Sequence, residues 1–594
     1  MSNVSYSQFV CVGAGFSGIA LGATLKRWYG IDNVRFFERH ADLGGTWFIN
    51  TYPGCACDVP VILYSFSFAP NANWSRTLPS SAELWAYLKR VADEYDLTSK
   101  MTFGADVIRC EWRQDSNRWR LQVRDVKSGA VFHHESRFLF CAGGVLVRPK
   151  VPDLPGLSSF AGTVLHASQW SNDVQINDKK VVVVGNGCTA AQIIPTIIHR
   201  TRHLSQFIRS KQWYLPPIDI NDKKVVVVGN GCTAAQIIPT IIHRTRHLSQ
   251  FIRSKQWYLP PIDVAISDFT RWLFAHVPGI LFLARFWAFC NYEDHLRGFY
   301  MTEAGARYRS RQKGAAVGYM KRAAPEKYHH LIIPDFEIGC KRRIFDSGYL
   351  RSLHAPNISL SDEPIVEVLP DAVRTRDGTL TPADVIILAT GFVTNQFLHG
   401  VDLVGRGGVT LDKHWSKYGG PEAYNCVALN QFPNMFMILG PNTVTGHTST
   451  IMAIENGVNY ALRVIKPVLD DDNGVVEIKP GAEARYSREM QQALRKTVWF
   501  SGCHSWYNHE GPDGKTWNAM TYPRTQWDYW YQCLFPAHRD WSYVNATPTR
   551  TLLRSGVLVL VGLAVAAVGV WLAVEKRGPL VGRGFSYVRP HSQA

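Results

Sequence analysis

Twelve cysteines are spread over 594 residues, yet no two of them stand in a CxxC or a CxxxxC. That absence removes the dithiol a pyridine-nucleotide disulfide reductase needs, and scattered thiols fit a reducing compartment. Cys55 and Cys57 form a CxC, and two small buried thiols are its ordinary reading. No metal site is expected. The formal charge is +16 but contains no long Lys/Arg block, so a nucleic-acid arm is excluded. The dispersed charge is left for the phosphates of a cofactor or for a membrane surface. No secretory leader is expected either, because the first apolar stretch, "QFVCVGAGFSG", already runs into a glycine turn.

Long uncharged runs are also scarce, with one exception. Ser555 to Val574 is twenty residues without a charge, enough to cross a hydrocarbon core at about 1.5 Å per residue. Arg550 and Arg554 precede it, and Lys576 and Arg577 follow, so the positive-inside rule leaves its orientation open. The expectation is a single-pass anchor over 554–575 with a tail at 576–594. The catalytic part would then lie in the cytosol and the anchor in the endoplasmic reticulum. A second aromatic-rich stretch, "RWLFAHVPGILFLARFWAF" between Arg271 and Phe289, could form core, a pocket wall or a membrane-contacting face. Core is the commonest fate of such a run.

Ile176 to Asp219 and Ile220 to Asp263 are identical over 44 residues. Two copies selected for separate roles would have drifted apart, so the repeat reads as a recent duplication or an error of gene assembly. A solenoid needs several diverged, capped units and does not fit. One bound nucleotide is expected for the two copies together, with either copy able to supply its site.

What remains has a clear grammar. A short strand, then Gly13-x-Gly15-x-Ser17-Gly18, then a helix, then "VRFFE" ending in Glu38 make a complete βαβ unit. The glycines allow a tight turn and close approach to a pyrophosphate, and the acid can accept from ribose hydroxyls. The repeated segment has the same form, Gly185-x-Gly187-x-x-Ala190, but its second strand ends in Arg209, Ser210 and Lys211. The second copy offers Gly229, Gly231, Ala234, Arg253, Ser254 and Lys255. A basic end with a hydroxyl suits a 2'-phosphate, so the pair of units implies FAD plus NADPH. "RFLFCAGG" and "ADVIILATGF" end in small residues at Ala142-Gly143 and Ala389-Thr390-Gly391, as strands returning to nucleotide-binding sheets do.

The expected fold class is therefore α/β: two nested doubly wound Rossmann-like dinucleotide-binding domains with a helical insertion and a C-terminal transmembrane helix. The expected order is an FAD part at 1–150, a linker at 151–175 and an NADPH part at 176–380. That NADPH part holds the repeats 176–219 and 220–263 and a helical insertion at 264–335. A second FAD part at 381–545 and a linker at 546–553 precede the anchor.

Two longer patterns resemble the Baeyer-Villiger type flavoprotein monooxygenases. "FAGTVLHASQW" carries Phe160, Gly162, His166 and Trp170 in the register of the family fingerprint, with Ser171 where the family has Pro or Asp. "GGTWFINTYPGCACD" carries Gly45, Trp47, Tyr52, Pro53, Gly54 and Asp58 of a second one. The resemblance runs from about residue 8 to about 540, and "IGCKRRIFD" and "GPNTVTGHTS" look like fungal secondary-metabolism members. It implies that Thr46, Trp47, Cys57, Asp58 and Tyr64 lie at FAD and that Lys341 adds charge at the 2'-phosphate. It further implies that Arg342, held by Asp58, steadies a C4a-peroxyflavin anion and that Trp506 covers bound NADP. His166 and Trp170 would belong to a linker that responds to cofactor. The implied reaction takes molecular oxygen and a ketone to an ester or lactone. An N- or S-oxygenating monooxygenase and a flavoprotein inactivated by the duplication remain the alternatives.

Overall fold

The structure is a computed structural model. It describes residues 4–50, 55–144, 155, 164–166, 180–185, 203–207, 224–228, 247–251, 255, 257–260, 262–346, 349–354, 358–370, 372–382, 386–389, 397–398, 400–503, 505–511 and 514–546. The expected anchor at 554–575 lies outside the described residues.

The first strand, Ser5–Val12 (β1), is buried from Phe9 onward. A strand closed off on both faces requires helices over the sheet, and Phe16–Tyr29 (α1) supplies the first, ending at Gly30 with φ +64°. Val34–Glu38 (β2) and Ser81–Glu94 (α2) follow. Ser80 caps α2 by accepting from the Glu83 N–H. Then come Met101–Phe103 (β3), Ala105–Arg113 (β4), Arg118–Asp125 (β5) and Val131–Cys141 (β6).

The second domain starts with Val164–His166 (β7), Lys180–Gly185 (β8), His203–Phe207 (β9), Lys224–Val228 (β10) and His247–Phe251 (β11). After the two-residue strand Tyr258–Leu259 (β12) come three helices, Asp268–His276 (α3), Ile280–Asp294 (α4) and Glu303–Ala323 (α5). Ile344–Phe345 (β13) and Ile358–Ser361 (β14) follow. A small antiparallel sheet of Ile365–Val368 (β15), Ala372–Thr375 (β16) and Leu380–Pro382 (β17) precedes Ile386–Ala389 (β18). The chain returns with Asp402–Val404 (β19), Met435–Met437 (β20), Thr450–Ile465 (α6), Pro480–Leu494 (α7) and Gln526–Leu534 (α8).

One sheet runs β19-β4-β5-β6-β1-β2-β3, with β20 also on β6. Strand β6 is long enough for two partners on one edge. Val131 to Ser136 pair antiparallel with β5, and Leu139 to Cys141 pair parallel with β20. The other sheet is parallel and runs β14-β11-β10-β9-β8-β18-β7. Strand β18 therefore belongs to the second sheet, and the return to the first domain falls after it. The expected boundary at 381 is too early, and the returning segment reaches the first sheet through β19 on β4 and β20 on β6.

The aromatic-rich stretch becomes α3 and α4, and core is not its fate. No residue of α3 is buried, and of α4 only Ala288, Phe289 and Glu293 are. A helix that is apolar all round can bury one face against one neighbour. Here Arg285 reaches Ser65, donating to its hydroxyl at 2.6 Å and its carbonyl at 3.1 Å. Elsewhere on the two helices Phe269 is 71% and Trp287 70% exposed, and Trp272, Phe282 and Leu283 are exposed as well. Among the described residues no single helix is long and apolar enough to cross a membrane, though Asp268–His276 and Ile280–Phe299, bent by 109°, together pass by length and composition.

A buried charge cluster ties the returning segment to α7. His414 Nε2 lies 3.1 Å from Glu483 and 3.4 Å from Glu422, all three almost fully enclosed. They are the one group of candidate metal ligands among the described residues, and an imidazolium between two carboxylates accounts for them. Burial alone would lower the His414 pKa, but hydrogen bonds and charge from both glutamates raise it to about 9. Burial pushes Glu422 up, and the bond to His414 draws it back. His414 holds its proton more tightly when folded, so its stabilisation is full below about pH 6.5 and lost as pH rises through about 9. The melting temperature should fall as pH rises from about 6.5 to about 9. His414→Gln should flatten that alkaline limb and cost on the order of 2 kcal/mol at neutral pH, read from denaturant melts.

Candidate functional site

The first glycine turn is shaped by contacts between backbones. Gly13 has φ +109°, and a Cβ there would lie 2.6 Å from the Ala142 carbonyl oxygen at the end of β6. A Cβ on Gly18 would collide with the Gly13 carbonyl, so α1 packs on β1 at a distance only glycine allows. Gly15 is the N-cap of α1 and offers no side-chain cap, and the first turn carries no acid. Its N–H groups therefore stay open to an anion. Glu38 is fixed behind the turn, Oε2 accepting from the Ala14 N–H at 2.9 Å and Oε1 from His40 N–H at 3.0 Å. A carboxylate has about four acceptor sites, so capacity remains for ribose hydroxyls.

These groups line one cleft together with Ser17, Thr46, Trp47, Tyr64 and Gly143. The glycine cradle, the open helix end and the anchored acid fit the FAD the sequence calls for. Trp47 and Tyr64 meet edge to face at 5.6 Å, and Tyr64 meets Phe16 likewise at 5.4 Å. Burial pushes the Tyr64 hydroxyl far up, so it stays protonated. Cys57 is 2% exposed, and burial raises its pKa as well. It is a buried, inert thiol and is not among the residues that line the cleft.

Arg342 Nη2 lies 2.8 Å from Asp58 Oδ1, each about a third exposed or less. Asp58 also acts electrostatically on Tyr64, which lines the cleft. Three features hold this arginine segment. Strand β13 pairs with β12 immediately after it. Trp257, 1% exposed, donates its indole N–H to the Phe336 carbonyl at 3.3 Å. Lys341 lies over the Phe336 ring at 4.6 Å. Arg343 is packed among Tyr292, Tyr308 and Tyr507, where burial lowers its pKa without neutralising it. Trp506 rests on Tyr507 at 4.3 Å.

Sequence reading missed three connections. Cys340 and Cys503 form a disulfide with a Cα separation of 6.5 Å, which corrects the expectation of unpaired thiols and ties the Arg342 segment to the Trp506 segment. His447 bonds Glu293 at 2.8 Å, joining α4 to the loop before α6. Arg285 does the same toward Ser65. Each spans more than 150 residues, so no local spacing announces it.

Of the linker fingerprint, His166 ends β7; Phe160, Gly162, Trp170 and Ser171 lie outside the described residues. Gly185 ends β8 beside Ala389 of β18. Tyr52, Pro53, Gly54, Gly187, Ala190, Arg209, Ser210, Lys211, Gly229, Gly231, Ala234, Arg253 and Ser254 are likewise outside them.

A family profile described as FMO-like, flavin-binding monooxygenase-like, matches residues 7–213. A Baeyer-Villiger monooxygenase of Streptomyces coelicolor is 31% identical over 518 residues, spanning 86% of this chain and 88% of that protein. The FAD-binding monooxygenase tazF of Aspergillus terreus is 30% identical over 509 residues, spanning 84% of this chain and 82% of the other. The closed structure of cyclohexanone monooxygenase superposes with a TM-score of 0.71 at 22% identity, covering 91% of this chain and 100% of that one, a likeness of fold. Identity at that level along most of both chains places this protein among the Baeyer-Villiger monooxygenases, the FAD- and NADPH-dependent family its two fingerprints resemble.

Proposed function

We propose that this monooxygenase inserts oxygen beside the carbonyl of a lipophilic ketone, a secondary metabolite, while held at a membrane. The observation that carries the catalytic part is the Arg342–Asp58 pair beside the flavin cleft. Bound FAD, once reduced by NADPH, supplies two electrons to dioxygen. Arg342 contributes a guanidinium that stays charged at any working pH, favouring negative charge on oxygen as it develops during addition to the ketone. Asp58 fixes the direction of that guanidinium, and Tyr64 and Trp47 give the cleft an apolar wall that excludes water.

The membrane part rests on two features. Ser555 to Val574 has the length and composition of a span, and α3 and α4 expose aromatic side chains of the kind enriched at membrane interfaces. In this reading the catalytic domains face the cytosol from the endoplasmic reticulum.

Flavin in the purified chain should be reduced anaerobically by NADPH much faster than by NADH; failure with both would end the NADPH reading. Under labelled dioxygen a panel of ketones should yield esters or lactones carrying one labelled oxygen, whereas sulfoxides or N-oxides alone would favour heteroatom oxygenation. Arg342→Ala should leave flavin reduction within about fivefold and lower ester formation by ~10²–10³, the loss typical of one transition-state donor. Asp58→Ala should fall between the two. The full chain should resist carbonate extraction from microsomes, and a chain ending at residue 546 should be released; retention in both or release of both would overturn the anchor.

A further inference from the structure

We propose that a lipophilic ketone reaches the Arg342–Asp58 pair from a bilayer, by way of an apolar pocket under α3 and α4 and then along the inner face of α4. The route rests on the ketone and membrane readings above and names the residues that carry substrate between them. Phe274 of α3, Leu281 and Arg285 of α4, and Val61, Ile62 and Trp74 of the first domain line the pocket. None of them lines the flavin cleft.

A single turn of chain separates the pocket from the cleft. The Tyr64 N–H donates to the Pro60 carbonyl at 3.1 Å, and the Ser65 hydroxyl donates to the Val61 carbonyl at 3.1 Å. Residues 60–65 therefore coil on themselves. Tyr64 lines the flavin cleft, while Val61, Ile62 and Ser65 line the pocket. Asp58, which holds Arg342, stands just before that turn.

The inner face of α4 leads from the pocket toward the catalytic arginine. Leu281, Arg285, Ala288, Phe289 and Tyr292 recur at helical spacing and share one side. Ala288 and Phe289 pack with Leu63, and Ile62, Tyr292 and Met452 lie against that cluster. Tyr292 is one of the tyrosines around Arg343, the neighbour of Arg342. At ~1.5 Å per residue the way from Leu281 to Tyr292 is about 16 Å. Arg285 is the one charged group on it. A guanidinium offers more donors than Ser65 uses, so Arg285 can also hold a carbonyl oxygen. An apolar wall with one such donor selects a molecule with a long apolar body and a single acceptor, which is what a lipophilic ketone offers.

Outside, the same helices carry what an interface with lipid uses. The rings of Phe269, Trp272 and His276 stack along α3 at 6.4 and 5.2 Å, and Trp287 projects from the side of α4 away from Leu281. Trp527 of α8 meets Phe289 edge to face at 5.0 Å. Tyr531 and Phe535, one and two turns further along, are exposed. Tryptophan and tyrosine collect at membrane–water boundaries, and helices lying there sink their apolar side by about 5–10 Å. From α8 the chain runs on through Trp541–Val544, and residues 547–554 alone separate its last described residue from the uncharged run at Ser555. Fully extended they reach about 30 Å, so a span there keeps α8 and its neighbours close to the bilayer. Helix α3 buries no side chain, and an element with so few buried contacts opens at little cost. The pocket behind it can thus admit a guest.

The test uses the full chain in phosphatidylcholine vesicles and a methyl undecyl ketone with a diazirine at the end of its chain. After irradiation, peptides from α4 or from residues 61–74 should carry the label, and an excess of plain methyl undecyl ketone should suppress it. Labelling confined to the flavin cleft or to the apolar run after Ser555 would overturn the passage. Leu281→Trp fills the pocket and should raise the KM for methyl undecyl ketone, relative to that for cyclohexanone, at least tenfold. Leu281→Met, close in size, should return that ratio to the parent's. Equal changes for both ketones at an unchanged melting temperature would mean the pocket is not on the way. Trp272→Ser combined with Trp287→Ser should raise the KM at least fivefold more for methyl undecyl ketone presented in vesicles than in detergent micelles; no difference would overturn the bilayer as its source. A parent chain that labels α4 but yields no ester would sink the ester reading alone, since labelling needs no turnover.

Discussion

The carbonyl of Ala142 occupies the space where a side chain on Gly13 would have to be, and much of the first domain follows from that contact. It requires β1 and β6 to run parallel and adjacent, with Val12 opposite Cys141. It turns the chain sharply enough for α1 to start over the sheet edge, with Gly18 against the Gly13 carbonyl. The open end of α1 and the acid at the end of β2 then face one cleft. A Cβ at either glycine would push the helix away from the strand and remove the close approach a pyrophosphate needs.

The arginine is placed by a different kind of constraint. The strand that follows it does little to orient it, because β13 is two residues long. Its position depends on long-range ties: Asp58 from the first domain, the Cys340–Cys503 link, and β12 laid beside β13. These ties come from three separate parts of the chain. A charge that must meet a small developing anion benefits from such over-determination, since a guanidinium on a free loop would spend most of its time hydrated elsewhere.

Legibility in the sequence followed the distance between partners. The unit from Gly13 to Glu38 lies within one short stretch, and its spacing carries the turn, the helix and the acid together. Thr46, Trp47 and Tyr64 lie in the cleft wall next to it. By contrast β20 is three residues long and follows Pro433-Asn434, too short for any periodicity, so the sequence points to β18 as the returning strand instead. The clusters His414–Glu422–Glu483 and His447–Glu293 join residues far apart in the chain, and no pattern of residue types marks them. The stretch around α4 failed for another reason. Composition says how apolar a helix is, while the number of neighbours that come to cover it is a property of the fold.

The duplication separates local from non-local information in a single molecule. Every preference internal to the repeat, whether β propensity, glycine turn or strand register, is present twice and cancels in any comparison of the copies. What differs is what each copy can reach: β18 and the linker strand on one side, β14 and β12–β13 on the other. Ladders to strands outside the repeat, and a tryptophan seated between Phe336 and Lys313, are therefore the terms that choose.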